Sequence, residues 1–281
     1  MDVTFPLVKL TGRERSLKEL ARPDERILRY SGLTVEQLQA PYLMIDARLP
    51  AATPAKVRER ILAARDLAVY GYFVYEFHAI SMFWAVSCIE MALKMKFAEK
   101  CPDPIRVTRK AADDTEESCQ ISIAELQDYW RQKWRISEMK YFDYSFQAVL
   151  TWAFREKLLP DDIPIPVPEI VTSFEHRFML KTFPARALKD GLLKSEPQTY
   201  EDILNCWNGL SETQKNYYWP KASTVLVEEL PRFRNMMAHP QFNPIVFPRA
   251  PIGTYELLVD VVARLWAVPS RSAGRFRTNQ L

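Results

Sequence analysis

The chain has 281 residues, enough for one or two domains, and its 48% hydrophobic and 26% charged residues exclude a wholly disordered protein. A formal net charge of only +3 permits a nucleic-acid partner but does not by itself indicate one. The chain has 7 glycines against 20 prolines. Glycine-rich phosphate-binding loops, dinucleotide-binding folds and hairpin-rich β folds need more glycine, so we expect none of them here.

The four cysteines, Cys88, Cys101, Cys119 and Cys206, include no CxxC pair. Structural zinc sites normally show such close pairs, and disulfide scaffolds are smaller and richer in cysteine. The N-terminal residues also lack the apolar stretch of a secretory signal. We therefore predict four reduced thiols in a cytoplasmic protein, with no metal site and no cofactor.

One apolar segment, from Tyr70 to Leu93, has to be tested as a membrane span. It contains Glu76, His78 and Glu90, so its uncharged stretch is well below the ~20 residues that a bilayer requires. A helix that is apolar on nearly every side but this short is typical of the centre of a soluble bundle. We expect no membrane partner.

Hydrophobic residues recur at three- and four-residue steps along most of the chain, which predicts helices. Thr34, Ser122 and Ser211 each begin a capping box, in which the hydroxyl and the side chain three residues later satisfy free backbone amides. In chain order, the predicted helices include 35–40, 54–100 with a break at Gly71, 123–135, 144–157 and 254–268. No segment shows convincing strand alternation outside short ambiguous runs such as Ile105–Val107, so the predicted class is all-α.

Two segments interrupt these helices. Cys101–Ser118 is polar and acidic, and we predict a solvated loop there. The run from Leu159 to Pro168 carries a proline at every second position from Pro164. Proline fixes φ and has no amide proton, which predicts an extended or polyproline-like conformation for this run.

The proline run leads into a locally helical segment with its own aromatic residues. We interpret this segment as an insertion between two core helices, not as a separate domain. The predicted organisation is an N-terminal helical extension over 1–55 and one helical domain over 56–281, with the insertion at about 160–220.

The three histidines have different interpretations. His78 lies in the apolar helix, where a hydrogen-bonded core histidine is favoured. His176, in the insertion, is expected at the surface. His239 precedes Pro240, and proline disfavours the helical conformation in the residue before it. We therefore place His239 at the unwound C-terminal end of a helix, where the helix dipole favours its protonated form.

The helix before His239 carries a fixed positive charge close to this histidine. Its predicted buried face consists of Leu226, Leu230, Phe233 and Met237. Arg232, Asn235 and His239 lie near the opposite face, and Arg234 stands five residues before His239. An imidazole beside a guanidinium suits phosphodiester chemistry, because the first exchanges a proton while the second holds the anionic phosphate.

The segment Arg234-Asn235-Met236-Met237-Ala238-His239-Pro240 resembles the signature of the HEPN superfamily, in which an Arg, a polar residue and three further positions precede a His. HEPN domains are bundles of four to five helices, and many are metal-independent endoribonucleases. Residues 88–97 and 150–160 are similar to the early and penultimate helix patterns of the family. The resemblance covers about 65–160 and 220–268.

The resemblance implies a HEPN-like helical bundle with few assignable site residues. Arg234 and His239 match the catalytic pair, Asn235 matches the polar residue after the Arg, and Glu90 matches an acidic position loosely. The implied activity is cleavage of RNA through its 2′-hydroxyl, at a composite site to which each protomer of a homodimer contributes an Arg and a His. The family includes toxins and antiviral defence effectors, so an antitoxin or a defence protein is a candidate partner.

Several basic residues are candidates for contact with an RNA backbone. They are Arg232, Lys94, Lys96, Arg131, Lys133 and Arg135. Trp130 and Trp134 alternate with the last three, and their rings can stack on bases. Aromatic stripes at helical spacing are, however, more often part of a core.

Other interpretations of the chain stay open. The Arg234–His239 segment can be a simple helix end, with Arg234 paired to Glu228 or Glu229 and His239 capping the last carbonyl groups. The chain can be a non-catalytic HEPN-like module that binds protein or a nucleotide, using the proline run and the aromatic residues of the insertion. It can also be a helical scaffold unrelated to the family.

Overall fold

The computed structural model describes residues 20–30, 32–110, 115–137, 144–238 and 249–267. Of the described residues, 66% are helical and 6% are in strands, which confirms the all-α class. The helices are α1 (Glu25–Tyr30), α2 (Val35–Asp46), α3 (Ala55–Tyr70), α4 (Phe77–Lys100), α5 (Leu126–Arg131), α6 (Phe146–Arg155), α7 (Pro168–Arg177), α8 (Phe183–Lys189), α9 (Tyr200–Asn208), α10 (Glu212–Tyr218), α11 (Ala222–Ala238) and α12 (Arg249–Leu265). The HEPN-like arrangement and the domain limits stay predictions.

Helix α4 is the centre of the bundle. It packs against α3, α6, α11 and α12, and its residues Val86, Ile89, Leu93 and Phe97 are fully buried. A helix with neighbours on most sides buries most of its surface, which explains why the sequence of α4 is apolar nearly all round. Among the described residues, no helix is both long enough and apolar enough to cross a bilayer.

The predicted break at Gly71 is confirmed, since α3 ends at Tyr70 and α4 begins at Phe77. The ring of His78 lies directly over Gly71, so that a Cβ at this position would overlap the imidazole. The absence of a side chain at Gly71 thus allows the two helices to meet at this corner.

His78 is a core histidine, as predicted, but its predicted hydrogen bonding is wrong. The side chain is fully buried, and neither ring nitrogen has a hydrogen-bond partner among the described residues. The ring of Tyr75 meets it edge-on, with 5.4 Å between the centroids. Burial disfavours the imidazolium and lowers the pKa of His78 to about 4, so the ring is neutral at neutral pH. His176 is exposed, as predicted.

The prediction of a solvated loop over Cys101–Ser118 is wrong. Strands β1 (Ile105–Lys110) and β2 (Glu116–Ile121) form an antiparallel pair there, and β3 (Arg135–Ile136) joins the other edge of β1. The residues of the sheet that are buried against the helices are Ile105, Val107, Ile121 and Ile136. Each strand contributes only one or two of them, which is too short an alternation to be recognised in the sequence.

The helix predicted over 123–135 is shorter than expected. A 3₁₀ turn at Ile123–Glu125 leads into α5, which ends at Arg131. Lys133 has a left-handed backbone conformation, with φ of 67°, and Trp134 after it is 8% exposed in the core. The predicted aromatic stripe therefore does not continue to Trp134, whose buried ring is unavailable to stack on a base. The side chain of Trp130 lies outside the described residues.

The capping boxes at Thr34, Ser122 and Ser211 are confirmed. The first of these helices continues to Asp46, past its predicted end, and the last helix of the chain begins at Arg249, earlier than predicted.

The proline run is non-helical up to Val167, as predicted, and the segment after it is helical. Its aromatic residues form a cluster with centroid distances between 5.0 and 6.3 Å, made of Phe174, Phe178, Phe183, Trp207 and Trp219. Helix α7 packs against α11, and the Pro166 carbonyl lies so close to Gly253 of α12 that a Cβ does not fit there. The segment therefore shares an interface with the bundle.

A candidate active site on helices α4 and α11

Arg234 lies near the C-terminal end of α11 and is held by side chains from three helices. Its Nη1 pairs with the carboxylate of Glu90 on α4. Its Nε and Nη2 donate to Asn235 Oδ1 at 3.2 and 2.9 Å, and its guanidinium lies 5.4 Å from the ring centroid of Phe146 on α6. Desolvation lowers the pKa of Arg234, but an arginine in a protein remains charged.

Glu90 is the link between Arg234 and a second cation. Its other carboxylate oxygen pairs with Lys94 Nζ at 2.9 Å, one turn further along α4. Lys94 also donates to Gln127 Oε1 of α5 at 3.0 Å and lies over the ring of Tyr144 at 4.9 Å. Burial lowers the pKa of Lys94. We call Arg234, Asn235, Glu90, Lys94 and Gln127 the Glu90 cluster.

The Glu90 cluster contains two cations and one carboxylate, so it is positively charged overall while its members are bonded to one another. Side chains held in this way need little reorganisation before they bind an anion, which favours recognition of a phosphate. Asn235 is exposed, so its amide can be exchanged for a ligand oxygen at the outer edge of the guanidinium.

The alternative in which Arg234 pairs with Glu228 or Glu229 is wrong. Those two carboxylates pair with Arg177 of α7, and Ser173 donates to Glu229 Oε2 at 3.1 Å. Arg234 points instead to α4, whose Glu90 is 144 positions away in the chain. Its partner is therefore set by the packing of α11 on α4, not by local helix spacing.

The predicted RNA-binding residues do not all lie together. Lys94 belongs to the Glu90 cluster. Arg232 is exposed and lies about 200° around α11 from Arg234, given the 3.6-residue turn. Lys96 pairs with Glu99 at 2.8 Å and lies 5.2 Å from the ring centroid of Trp266, next to α12. The structure thus places Arg234, Asn235 and Lys94 together, and Arg232 and Lys96 elsewhere.

His239 and Pro240 lie outside the described residues, so the predicted position of the imidazole stays a prediction. The helix leading to them has the predicted buried residues Leu226, Leu230 and Phe233, whereas Met237 is only half-buried.

The sequence analysis did not identify Gln127, Tyr144 or Phe146 as neighbours of this site. Gln127 comes from α5, Phe146 begins α6 and Tyr144 lies just before it, and no motif joins them to Arg234. Besides its loose match to the family pattern, Glu90 is marked in the sequence as an acidic residue in a largely apolar helix, because a carboxylate that is mostly buried needs a cationic partner.

Two of the four thiols are too strongly protonated to act as nucleophiles. All four cysteines are free, and burial raises the pKa of Cys88 to about 12 and of Cys101 to about 11. A thiol is nucleophilic as its thiolate, so these two are unreactive at neutral pH. In the part of the chain that the structure describes, no group of three or more His, Cys, Asp or Glu side chains could hold a metal ion.

Comparison of the chain with protein-family models, with curated proteins and with solved structures finds no match. The resemblance to the HEPN superfamily therefore rests on the residues of its motif.

Proposed function

We propose that the protein is a metal-independent endoribonuclease of HEPN type. The observation that supports this proposal is the setting of Arg234. Its guanidinium is held by Glu90 and Asn235 at the end of α11, five residues before His239. Lys94 forms an ion pair with the same Glu90 carboxylate.

In the proposed reaction, the His239 imidazole removes the proton of a ribose 2′-hydroxyl, whose oxygen attacks the adjacent phosphorus. Arg234 binds the phosphate oxygens and stabilises the charge that develops on them in the transition state. The bond from phosphorus to the 5′-oxygen breaks, and the leaving oxygen takes a proton from the second imidazole of a dimer. The products are a 2′,3′-cyclic phosphate and a 5′-hydroxyl.

The test is to incubate the purified protein with single-stranded RNA in EDTA and to identify the new ends. His239→Ala should abolish cleavage, and Arg234→Ala should lower it by at least ~10²-fold, the scale of one lost transition-state donor. Arg234→Lys should restore little, because an ammonium lacks the planar, two-pronged donor arrangement. Arg29→Ala, at an exposed position on α1 outside the predicted dimer interface, is the matched control and should cleave like the wild type.

Two results would contradict this mechanism: loss of cleavage in EDTA, or a His239→Ala variant that cleaves as fast as the wild type. DNA of the same sequence should resist cleavage because it lacks the 2′-hydroxyl. A role as a toxin or defence effector, with a protein partner that restrains it, would follow only if the activity is found.

The second candidate function is a non-catalytic HEPN-like module. It is favoured by the fact that Nε, Nη1 and Nη2 of Arg234 are already bonded within the Glu90 cluster. In that case Arg234→Ala would lower the thermal midpoint of a protein that has no RNA-cleaving activity.

A further inference from the structure

The small sheet presents a polar, mainly basic face on the side away from the core. Partners in the antiparallel register point to the same side of a sheet, and Arg106, Thr108 and Arg135 alternate with the buried Val107 and Ile136. We call this outer side the basic face. Its residues are Arg106, Thr108, Lys110, Glu116, Ser118, Gln120 and Arg135.

The basic face carries three cations, Arg106, Lys110 and Arg135, and one carboxylate, Glu116. Among the described residues, no carboxylate forms an ion pair with Arg106, Lys133 or Arg135. Within the described part of the chain, Arg106 Nη2 donates only to the hydroxyl of Ser118, at 3.3 Å. The region is therefore complementary to a polyanion, since phosphate groups can supply the missing negative charge.

Arg131, at the end of α5, adds to this charge. It reaches Asp128 at 3.5 Å, and both of these side chains are largely exposed, at 69% and 74%. An ion pair this exposed contributes little, so Arg131 can exchange its partner for a phosphate at small cost.

The chemistry of the basic face suits a nucleic-acid backbone rather than its bases. Neighbouring hydroxyl and amide groups, from Thr108, Ser118 and Gln120, can donate to phosphate oxygens. Trp134, the aromatic residue nearest to Arg135 in the chain, is buried with the guanidinium of Arg109 over its ring. The described outer face of the sheet therefore has no aromatic ring on which a base could stack.

The basic face is connected to the Glu90 cluster through α5. Gln127 of α5 accepts from Lys94, which shares Glu90 with Arg234. One turn after Gln127, α5 ends at Arg131, and the chain continues through Lys133 into β3. An RNA strand that extends from the Glu90 cluster along α5 would meet these cations next.

We propose that the basic face binds the phosphate backbone of a single-stranded RNA whose scissile bond lies at Arg234. The identity of the bound strand rests on the proposed function. Strands of six residues spaced about 4.8 Å apart make a surface on the order of 20 by 10 Å, enough for a short stretch of extended backbone. Binding here is independent of base sequence, because the contacts are to phosphates.

The experiment measures binding of a labelled single-stranded RNA by fluorescence anisotropy over a range of NaCl concentrations, with every protein carrying His239→Ala to prevent cleavage. Arg106→Thr with Arg135→Thr removes two charges and keeps residues that favour strands. Here K is the association constant, and the slope of log K against log salt is negative. For two lost phosphate contacts, the magnitude of this slope should decrease by about 1.4, which is roughly a 25-fold loss of affinity at about 0.1 M salt.

The matched control is Lys56→Ala with Arg29→Ala, which removes the same charge from exposed positions on α3 and α1. It should keep the parent slope. Lys133→Asn is a further variant that removes one charge and keeps a residue that tolerates the left-handed conformation, and the magnitude of its slope should decrease by about 0.7. Circular dichroism and thermal midpoints show that each variant is folded.

Equal losses in the sheet variant and the control would overturn the proposal, as would a parent protein that binds no RNA at low salt. The outcome for the proposed function is separate. If the sheet variant binds like its parent while the wild type cleaves in an Arg234-dependent way, the proposed RNA binding by the basic face is wrong and the proposed nuclease activity is supported. If the sheet variant loses binding but the wild type does not cleave RNA, the proposed basic face is supported and the proposed nuclease activity is wrong.

Discussion

Gly71 is a single residue on which the corner between α3 and α4 depends. Gly71→Ala should destabilise the protein by about 1–3 kcal/mol, because the added methyl group overlaps the buried ring of His78. Urea unfolding followed by circular dichroism measures the loss. Gly209→Ala is the control, since a Cβ there finds its nearest atoms at 3.4 Å, and the change should be small. Similar losses in the two variants would contradict the steric explanation.

His78 makes the folded state sensitive to acid. Its pKa is lowered to about 4 by burial, against 6.5 for an unperturbed histidine, so between these values the unfolded chain binds more protons. The free energy of unfolding therefore has its full value, as far as His78 is concerned, above pH ~6.5. It decreases as the pH falls towards 4, and the decrease is about 2 kcal/mol at pH ~5.

His78→Leu should remove this part of the pH dependence. The measurement is the difference in unfolding free energy between the wild type and His78→Leu from neutral pH to about pH 5. A difference that does not change with pH would show that the folded and unfolded states bind protons equally at His78, and it would contradict a lowered pKa.

At the scale of elements, the contact between α7 and α11 is built around a buried carboxylate. Glu229 is 3% exposed, pairs with Arg177 and accepts from Ser173. Arg177→Met should cost about 3–5 kcal/mol, because it leaves this charge buried without a partner. Replacing both residues by Met should cost much less than the sum of the single losses. Thermal and urea unfolding of the four proteins form the double-mutant cycle, and additive losses would contradict the pairing.

At the scale of the whole molecule, the insertion contributes to the common core. Ile170, Phe174 and Phe178 are buried in the same cluster as residues of α4 and α12, and α7 covers one side of α11. Replacing residues 169–219 by a short linker should therefore abolish cooperative unfolding, since the covered side of α11 would be exposed to water. A truncated protein that unfolds in one sharp transition would show instead that the insertion is peripheral.

The composite site predicts an assembly of two chains. We expect a dimer in light scattering at roughly tens of micromolar, the range in which stable homodimers are populated. The helices predicted to form its interface lie in the 65–97 and 220–268 regions. A monomer under these conditions would argue against two juxtaposed motifs and would leave the basic face as an RNA-binding surface of a single chain.

The sequence by itself determined the local features of this protein. The helical class, the capping boxes at Thr34 and Ser211 and the break at Gly71 could all be predicted, and the structure confirms them. Each depends on residues three to four positions apart or on a single residue without a side chain. Such interactions form within one turn of chain, so they are visible in the order of the residues.

Only the tertiary structure decided which distant side chains meet. The pairing of Arg234 with Glu90 joins residues 144 positions apart, and the sheet brings Arg135 beside Thr108. No local pattern encodes either contact, because the packing of α11 on α4 and the pairing of short strands depend on the shape of the whole core. The sequence indicated Arg234 as a site residue, and the fold selected Lys94, not Arg232 or Lys96, as the cation beside it.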